Sequence, residues 1–112
     1  MAVTQYRHTR FAINHFRVSF NGLGDVTAWK QIEKRAKEIF KYLKFRGKEL
    51  NGHWLNKDGS VTFSILLGTH EEENTPEEIK LREQILSELE HTFGPEGASF
   101  EYVFTDYLDD IL

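Results

Sequence analysis

Two spacings of apolar residues alternate along this chain of 112 residues, and their order constrains the fold more than any other feature. In a half-buried strand every second residue is apolar, whereas an amphipathic helix places apolar residues three or four positions apart. Alternation predicts strands at residues 11–20, 48–55, 61–67 and 99–104, of which the second is the weakest. Helical spacing predicts one helix between residues 29 and 43 and another between residues 76 and 93.

The order strand, helix, strand, strand, helix, strand predicts the fold class. Two βαβ halves with right-handed crossovers place both helices on one face of the sheet. We therefore expect a single α+β domain over residues 1–112, a ferredoxin-like βαββαβ sandwich whose four-stranded sheet is antiparallel. Residues 1–10 would form a basic N-terminal arm and residues 105–112 an acidic-apolar C-terminal tail. One domain agrees with the length, because single domains usually have about 100–200 residues.

The first strand contains apolar residues of both parities. Phe16, Val18 and Phe20 share one face, and Phe11 and Ile13 fall on the other. A bulge near Asn14 would bring the two sets together, since one extra residue reverses the side on which the following side chains point.

Capping residues predict where the two helices begin and end. Asp25 or Thr27 caps the first helix, and Gly47 ends it. Thr75 caps the second helix, and Glu78 completes a capping box three residues later. The apolar face of the first helix includes Trp29, and that of the second helix consists of Ile79, Ile85, Leu86, Leu89 and Phe93.

Composition excludes several classes of protein. Cysteine is absent, which excludes disulfides, thiolate metal sites and cysteine nucleophiles. No apolar run reaches the roughly 18 residues that a membrane span requires. The first ten residues lack the apolar segment of a secretory signal, so we expect a cytoplasmic protein with no membrane partner.

Charge is distributed unevenly along the chain. Residues 1–57 contain 12 Lys and Arg against 4 Asp and Glu, a net of +8, whereas residues 58–112 have a net of −12. The two halves could neutralise each other, within one molecule or across a dimer. Alternatively, one pole faces a charged partner.

Five lysines recur at helical spacing on the first helix and form one stripe away from its apolar face. Mobile ammonium groups of this kind suit phosphates or an acidic protein surface, and the alternative is a solvated helix face. Together with three arginines they make up the predicted basic binding face: Arg7, Arg10, Arg17, Lys30, Lys34, Lys37, Lys41 and Lys44.

The C-terminal tail interleaves acidic and large apolar residues. Such a segment is typical of those that dock on a basic, apolar groove. The lysines of the first helix are the candidate groove, in the same copy or in a neighbour, and the alternative is a frayed terminus. The tail residues are Asp106, Tyr107, Leu108, Asp109, Asp110, Ile111 and Leu112.

The sheet face without helices is predicted to be mildly polar and able to pair with a second copy. Its predicted residues are Arg17, Thr62, Ser64, Leu66 and Glu101. The five histidines lack metal-ligand spacing, and no triad, nucleophile elbow or dinucleotide fingerprint is present, so we expect no catalytic residue, metal or cofactor. A small enzyme or ligand-binding domain would have to use the glycine-containing loop at residues 21–25.

These observations favour a function in binding. We expect a small non-enzymatic protein-interaction or regulatory module, of the accessory or inhibitor type, whose partner is another protein or a second copy in a homodimer. The alternative is a nucleic-acid-binding module that uses the lysine stripe and the basic N-terminal arm as a phosphate track. The acidic isoelectric point of about 5.7 argues against that alternative.

Overall fold

The computed structural model describes residues 9–24, 26–70 and 73–110, which form six elements in the predicted order. These elements are β1 (Thr9–Phe20), α1 (Trp29–Phe45), β2 (Glu49–Leu55), β3 (Val61–His70), α2 (Pro76–Phe93) and β4 (Ala98–Asp110). Short 3-10 turns precede α1 and follow α2. Within the described ranges, neither helix is long and apolar enough to cross a membrane.

The four strands form one sheet in the order β2-β3-β1-β4, with every neighbouring pair antiparallel. Residues of both helices share one apolar cluster with alternate residues of the two central strands, so both helices cover the same face. This arrangement confirms the predicted ferredoxin-like α+β fold. The central members of the cluster are Phe16, Phe63, Ile32, Ile39, Leu43, Ile65, Ile85 and Leu89.

An irregularity lies close to the position predicted for the bulge in β1, but the extra residue belongs to the neighbouring strand. Ile13 pairs with Leu66 and Phe11 with Thr69, so β3 places two residues opposite Ala12. Since β1 itself does not change parity, Phe11 and Ile13 stay on the face opposite the helices. The two sets of apolar residues therefore serve different faces of the sheet.

The two helices begin differently. Thr75 caps α2 as predicted, because its hydroxyl accepts a hydrogen bond from the backbone N–H of Glu78. The predicted cap of α1 is wrong for Thr27, which lies in the preceding 3-10 turn, while Asp25 lies outside the described residues. The N-cap of α1 is Ala28, which provides no side-chain cap. Gly47 adopts a positive φ of 73° after Arg46 and ends α1 as predicted.

Two apolar residues predicted to face the core are largely outside it. Ile79 is 37% exposed and Trp29 is 48% exposed. On α2 the buried positions next to Ile85 and Leu89 are instead taken by two charged residues, Glu78 and Arg82. A buried ion pair therefore replaces part of the apolar face that the sequence predicts.

Candidate functional site

Helix α1 separates its apolar and basic residues onto opposite sides. Its buried residues are Ile32, Ala36, Ile39 and Leu43. The five lysines lie on the other side and are all exposed: Lys30, Lys34, Lys37, Lys41 and Lys44. We call these five residues the lysine face. Lys37 pairs with Glu33 at 3.0 Å, and in the described part of the chain no other member of the lysine face forms an ion pair.

The flanks of α1 show which way the lysine face turns. On one flank Tyr42 and Arg46 both donate hydrogen bonds to the carboxylate of Glu88 on α2. On the other flank the ring of Phe40 lies 4.7 Å from that of His53 on β2. At 100° per residue, the lysine face lies on the outer side of α1 and leans toward β2, away from α2. The lysine face is therefore next to the edge of the sheet that β2 forms.

A cleft of about 300 Å³ opens between α1 and β2 directly beside the lysine face. The residues that line it are mostly apolar, and two of them, Trp29 and Leu55, are 48% and 38% exposed. Lys37 and Glu33 stand at its rim. The cleft is lined by Trp29, Ile32, Glu33, Ala36, Lys37, Phe40, His53, Trp54, Leu55 and Val61. This corner of the molecule thus offers positive charge and apolar surface side by side.

The structure does not bring the whole predicted basic face together. Arg17 lies on the sheet face opposite the helices, where its guanidinium pairs with Glu101 at 2.8 Å. Arg10 belongs to β1, where its backbone pairs with Asp109 of β4. Arg7 lies outside the described residues. Of the predicted arginines, Arg17 is the one whose side chain the structure describes, and it does not lie beside the lysine face.

The predicted acidic tail is largely the end of β4. Asp106, Tyr107 and Leu108 pair with Ile13, Ala12 and Phe11, and the strand continues to Asp110. Residues 111 and 112 lie outside the described residues. As far as Asp110, the tail therefore pairs with β1 rather than with α1.

A serine, a histidine and a carboxylate meet on the sheet face away from the helices. Nδ1 of His15 lies 2.7 Å from Oγ of Ser64, and its Nε2 lies 2.8 Å from Oδ2 of Asp106. The imidazole stacks on Phe104 with the ring centroids 4.1 Å apart. Ser64 is only 2% exposed, so its hydroxyl is closed to a substrate. These residues link β3, β1 and β4 rather than form an open catalytic site.

A second polar cluster fixes α2 to the sheet. Arg82 donates from Nε to Asn14 at 2.8 Å, and from its terminal nitrogen to Thr105 at 2.9 Å and Glu78 at 3.3 Å. The hydroxyl of Tyr107 donates to Glu78 at 2.6 Å. Burial, followed by this hydrogen bond, raises the pKa of Tyr107 above its ordinary value.

This second cluster is closed in the same way as the first. Glu78 is fully buried and Arg82 nearly so. No buried polar side-chain atom in the described part of the chain lacks a hydrogen-bond partner. We therefore assign a structural role to the cluster.

The helix-free sheet face is more aromatic than the sequence predicts. Thr62 and Ser64 are buried there, and Trp54 and Phe104 are about half exposed on either side of His15. Strand alternation alone places His15, Ser64 and Thr62 together on this face, so the position of these three residues could be predicted from the sequence. Trp54 and Phe104 join them only because of bulges in β2 and β4, next to Gly52 and Val103.

The chain was also compared with known proteins. No family model, curated protein or solved structure matches it. Among the described residues, no group of three or more histidine and acidic side chains is placed to hold a metal ion.

Proposed function

We propose that this domain is a non-enzymatic protein-interaction module that binds an acidic segment of a partner protein along the lysine face of α1. The observation that supports this proposal is that a basic surface and an apolar cleft lie side by side. In the part of the chain that the structure describes, four members of the lysine face have no ion-pair partner, and the lysine face directly adjoins a mostly apolar cleft.

An acidic segment with an apolar residue would satisfy both surfaces at once. One large apolar side chain transferred from water into the cleft contributes roughly 1.5–3 kcal/mol. Carboxylates opposite exposed lysines add less per pair, but they raise the association rate and select against basic partners. Apolar contact would thus supply most of the affinity, and charge most of the selectivity.

Nucleic acid is the competing ligand for the same lysines. A phosphate track would use the lysines and arginines together, but Arg17 is on the other side of the sheet and is engaged by Glu101. The cleft also exposes aromatic and aliphatic side chains, which suit an apolar peptide side chain better than a phosphate. The arrangement of charge therefore favours an acidic protein segment.

Fluorescence anisotropy with a short labelled peptide tests the proposal. The peptide is rich in Asp and Glu and has a central pair of leucines. We expect binding that weakens as salt is added. In the triple variant Lys34→Glu, Lys37→Glu, Lys41→Glu the affinity should fall about 30-fold, because each reversed charge costs about 0.7 kcal/mol of binding free energy. A matched pair of single variants serves as control: Lys80→Glu reverses an exposed lysine on α2 and should bind within about twofold of the parent protein, whereas Lys34→Glu alone should bind about threefold more weakly.

Two further measurements complete the test. Labelled single- and double-stranded DNA and RNA are titrated over salt, where each phosphate contact adds roughly 0.7–0.9 to the log–log slope. Tighter binding of nucleic acid than of the peptide, lost in the same triple variant, would replace our proposal by the nucleic-acid alternative. Absence of peptide binding would overturn the proposal outright. Sedimentation of the parent and the triple variant shows whether a second copy supplies the acidic segment.

A further inference from the structure

Strand β2 forms one edge of the sheet, and its backbone determines what can join it. In the hairpin that follows, the N–H of Asn56 donates to the carbonyl of Ser60 at 2.8 Å. Hydrogen-bonded and non-hydrogen-bonded pairs alternate along an antiparallel ladder. Because Leu55 pairs with Val61 and His53 with Phe63, both belong to non-hydrogen-bonded pairs. The backbone N–H and C=O groups of His53 and Leu55 therefore point away from the sheet.

The side chains of the same two residues line the cleft. His53 lies against Phe40, and Leu55 is part of the cleft wall below Trp29. The residue between them, Trp54, turns to the other face of the sheet, where its ring lies 6.1 Å from that of His15. Both Leu55 and Trp54 are partly exposed. An occupant that lies along the edge can cover both side chains and can also bond to the outward-pointing backbone groups of His53 and Leu55.

We propose that the acidic segment binds in extended form, as a fifth strand on the outer edge of β2. Its backbone exchanges hydrogen bonds with His53 and Leu55, and one of its apolar side chains enters the cleft. Its acidic side chains on the helix side reach the lysine face. This inference rests on the proposed function and specifies the conformation of the partner.

The opposite edge of the sheet does not offer the same combination. The outer edge of β4 is also open to solvent, but the exposed side chains along it include Glu101 and Asp106. The lysine face does not adjoin that edge, so an acidic strand added there would meet carboxylates without these lysines to offset them. The bulge at Asn51 further limits regular pairing on β2 to the few residues after Gly52. The added strand is therefore short, which makes the lysine face necessary for affinity.

Amide hydrogen exchange measured by NMR tests the inference with the same labelled peptide. At saturation we expect exchange of the His53 and Leu55 amides to slow at least tenfold. The amide of Trp54, which points toward β3, serves as the internal reference and should not change. If the peptide binds through the lysine face but both amides exchange as before, the strand inference is wrong and the proposed function stands. If the peptide does not bind at all, the proposed function fails first.

Two substitutions at one position separate the backbone bond from the side chain. Leu55→Ala removes the side chain and keeps the N–H, whereas Leu55→Pro removes both, and proline is tolerated where an edge strand points its N–H outward. We expect Leu55→Pro to bind the peptide about 3- to 10-fold more weakly than Leu55→Ala. Equal affinities of the two folded variants would overturn the inference.

The peptide offers the reverse experiment, which does not depend on the folding of Leu55→Pro. Peptides methylated on single backbone nitrogens are compared along the sequence. Strand addition predicts that only alternate positions lose affinity, because alternate amides face β2. Uniform effects, or losses at helical spacing, would overturn it.

Discussion

The two helices cover the same sheet but use their charges differently. Helix α1 buries only apolar side chains and exposes five lysines. Helix α2 buries Glu78 and Arg82 among its apolar residues, and its partly buried Glu88 accepts hydrogen bonds from Tyr42 of α1 and from Arg46, which follows α1. Glu78, Arg82 and Glu88 of α2 thus bond within the fold, whereas among the described residues four of the five lysines of α1 have no ion-pair partner.

This difference distinguishes structural charge from charge available for binding. The ion pair on α2 is enclosed by Asn14, Thr105 and Tyr107, each of which fills part of its hydrogen-bonding capacity. Burying a charge is costly unless it is paired and hydrogen-bonded, so this cluster has one favourable arrangement. Within the described part of the chain, the internal contacts of the lysine face include one exposed ion pair, Lys37–Glu33, and the contact of Lys30 with the Trp29 ring, and neither is enclosed like the pair on α2.

The largest expected effect comes from breaking the buried pair. Arg82→Met leaves the carboxylate of Glu78 buried without its cationic partner, and should lower the free energy of unfolding by about 3–5 kcal/mol. Urea unfolding followed by circular dichroism measures the loss. As a control, Glu78→Gln combined with Arg82→Met removes both charges and should be less destabilised than Arg82→Met alone. A loss below about 1 kcal/mol in Arg82→Met would show that the pair does not anchor α2.

The helix starts give a smaller, paired prediction. Thr75→Ala removes the hydroxyl that accepts from the Glu78 N–H and should destabilise the protein by about 1 kcal/mol, while Thr75→Ser should retain most of the stability. At the start of α1, Ala28 has φ −86° and ψ 23°, outside the extended region that an N-cap side chain requires. Ala28→Ser should therefore change stability little. A gain near 1 kcal/mol in Ala28→Ser would contradict this comparison.

The fold could be predicted from the sequence because each strand and helix has a recognisable spacing of apolar residues within its own segment. The strands at 11–20 and 61–67 and both helices follow their apolar periods, and the crossover rule then leaves one arrangement of the sheet. Even the weak second strand is present at Glu49–Leu55. The bounds of β4 could not be predicted: it continues to Asp110 rather than ending at residue 104, because residues 105–110 mix acidic and apolar side chains without regular alternation.

The buried ion pair and the aromatic sheet face could not be predicted in the same way. Glu78 and Arg82 are four residues apart and share a helix face, but a charged pair at that spacing is usually solvated. Its burial depends on Asn14, Thr105 and Tyr107, which lie in distant segments. Likewise, Trp54 and Phe104 reach His15 through strand registers that include bulges. The lysine face could be predicted from helical spacing, whereas the adjoining cleft could not, because it depends on where β2 lies against α1.

The contact between the helices provides a prediction about pH. Hydrogen bonding from Tyr42, followed by Arg46, lowers the pKa of Glu88 below its ordinary value of 4.5. A carboxyl group with a lowered folded-state pKa contributes stability above its unfolded pKa, and this contribution is lost as the pH falls through the folded pKa. Glu88→Gln should therefore flatten the dependence of stability on pH below about 4.5. Tyr42→Phe should lower the free energy of unfolding by about 0.5–1.5 kcal/mol at neutral pH. If the stability of Glu88→Gln depends on acid pH as that of the parent protein does, Glu88 is not the group responsible.

The smallest expected effect on stability is the most informative for the lysine face. Lys34→Glu replaces repulsion from Lys30 and Lys37 by attraction at helical spacing, although it also places a second acid beside Glu38. With each such pair contributing about 0.2–0.5 kcal/mol, the variant should be as stable as the parent or slightly more stable. Thermal unfolding and peptide binding are measured on the same sample, and binding should weaken while the midpoint holds or rises. A loss of more than about 1 kcal/mol would show that Lys34 serves the fold, and the contrast between the two helices would then fail. A residue that weakens its own helix and strengthens only an external contact belongs to a binding surface.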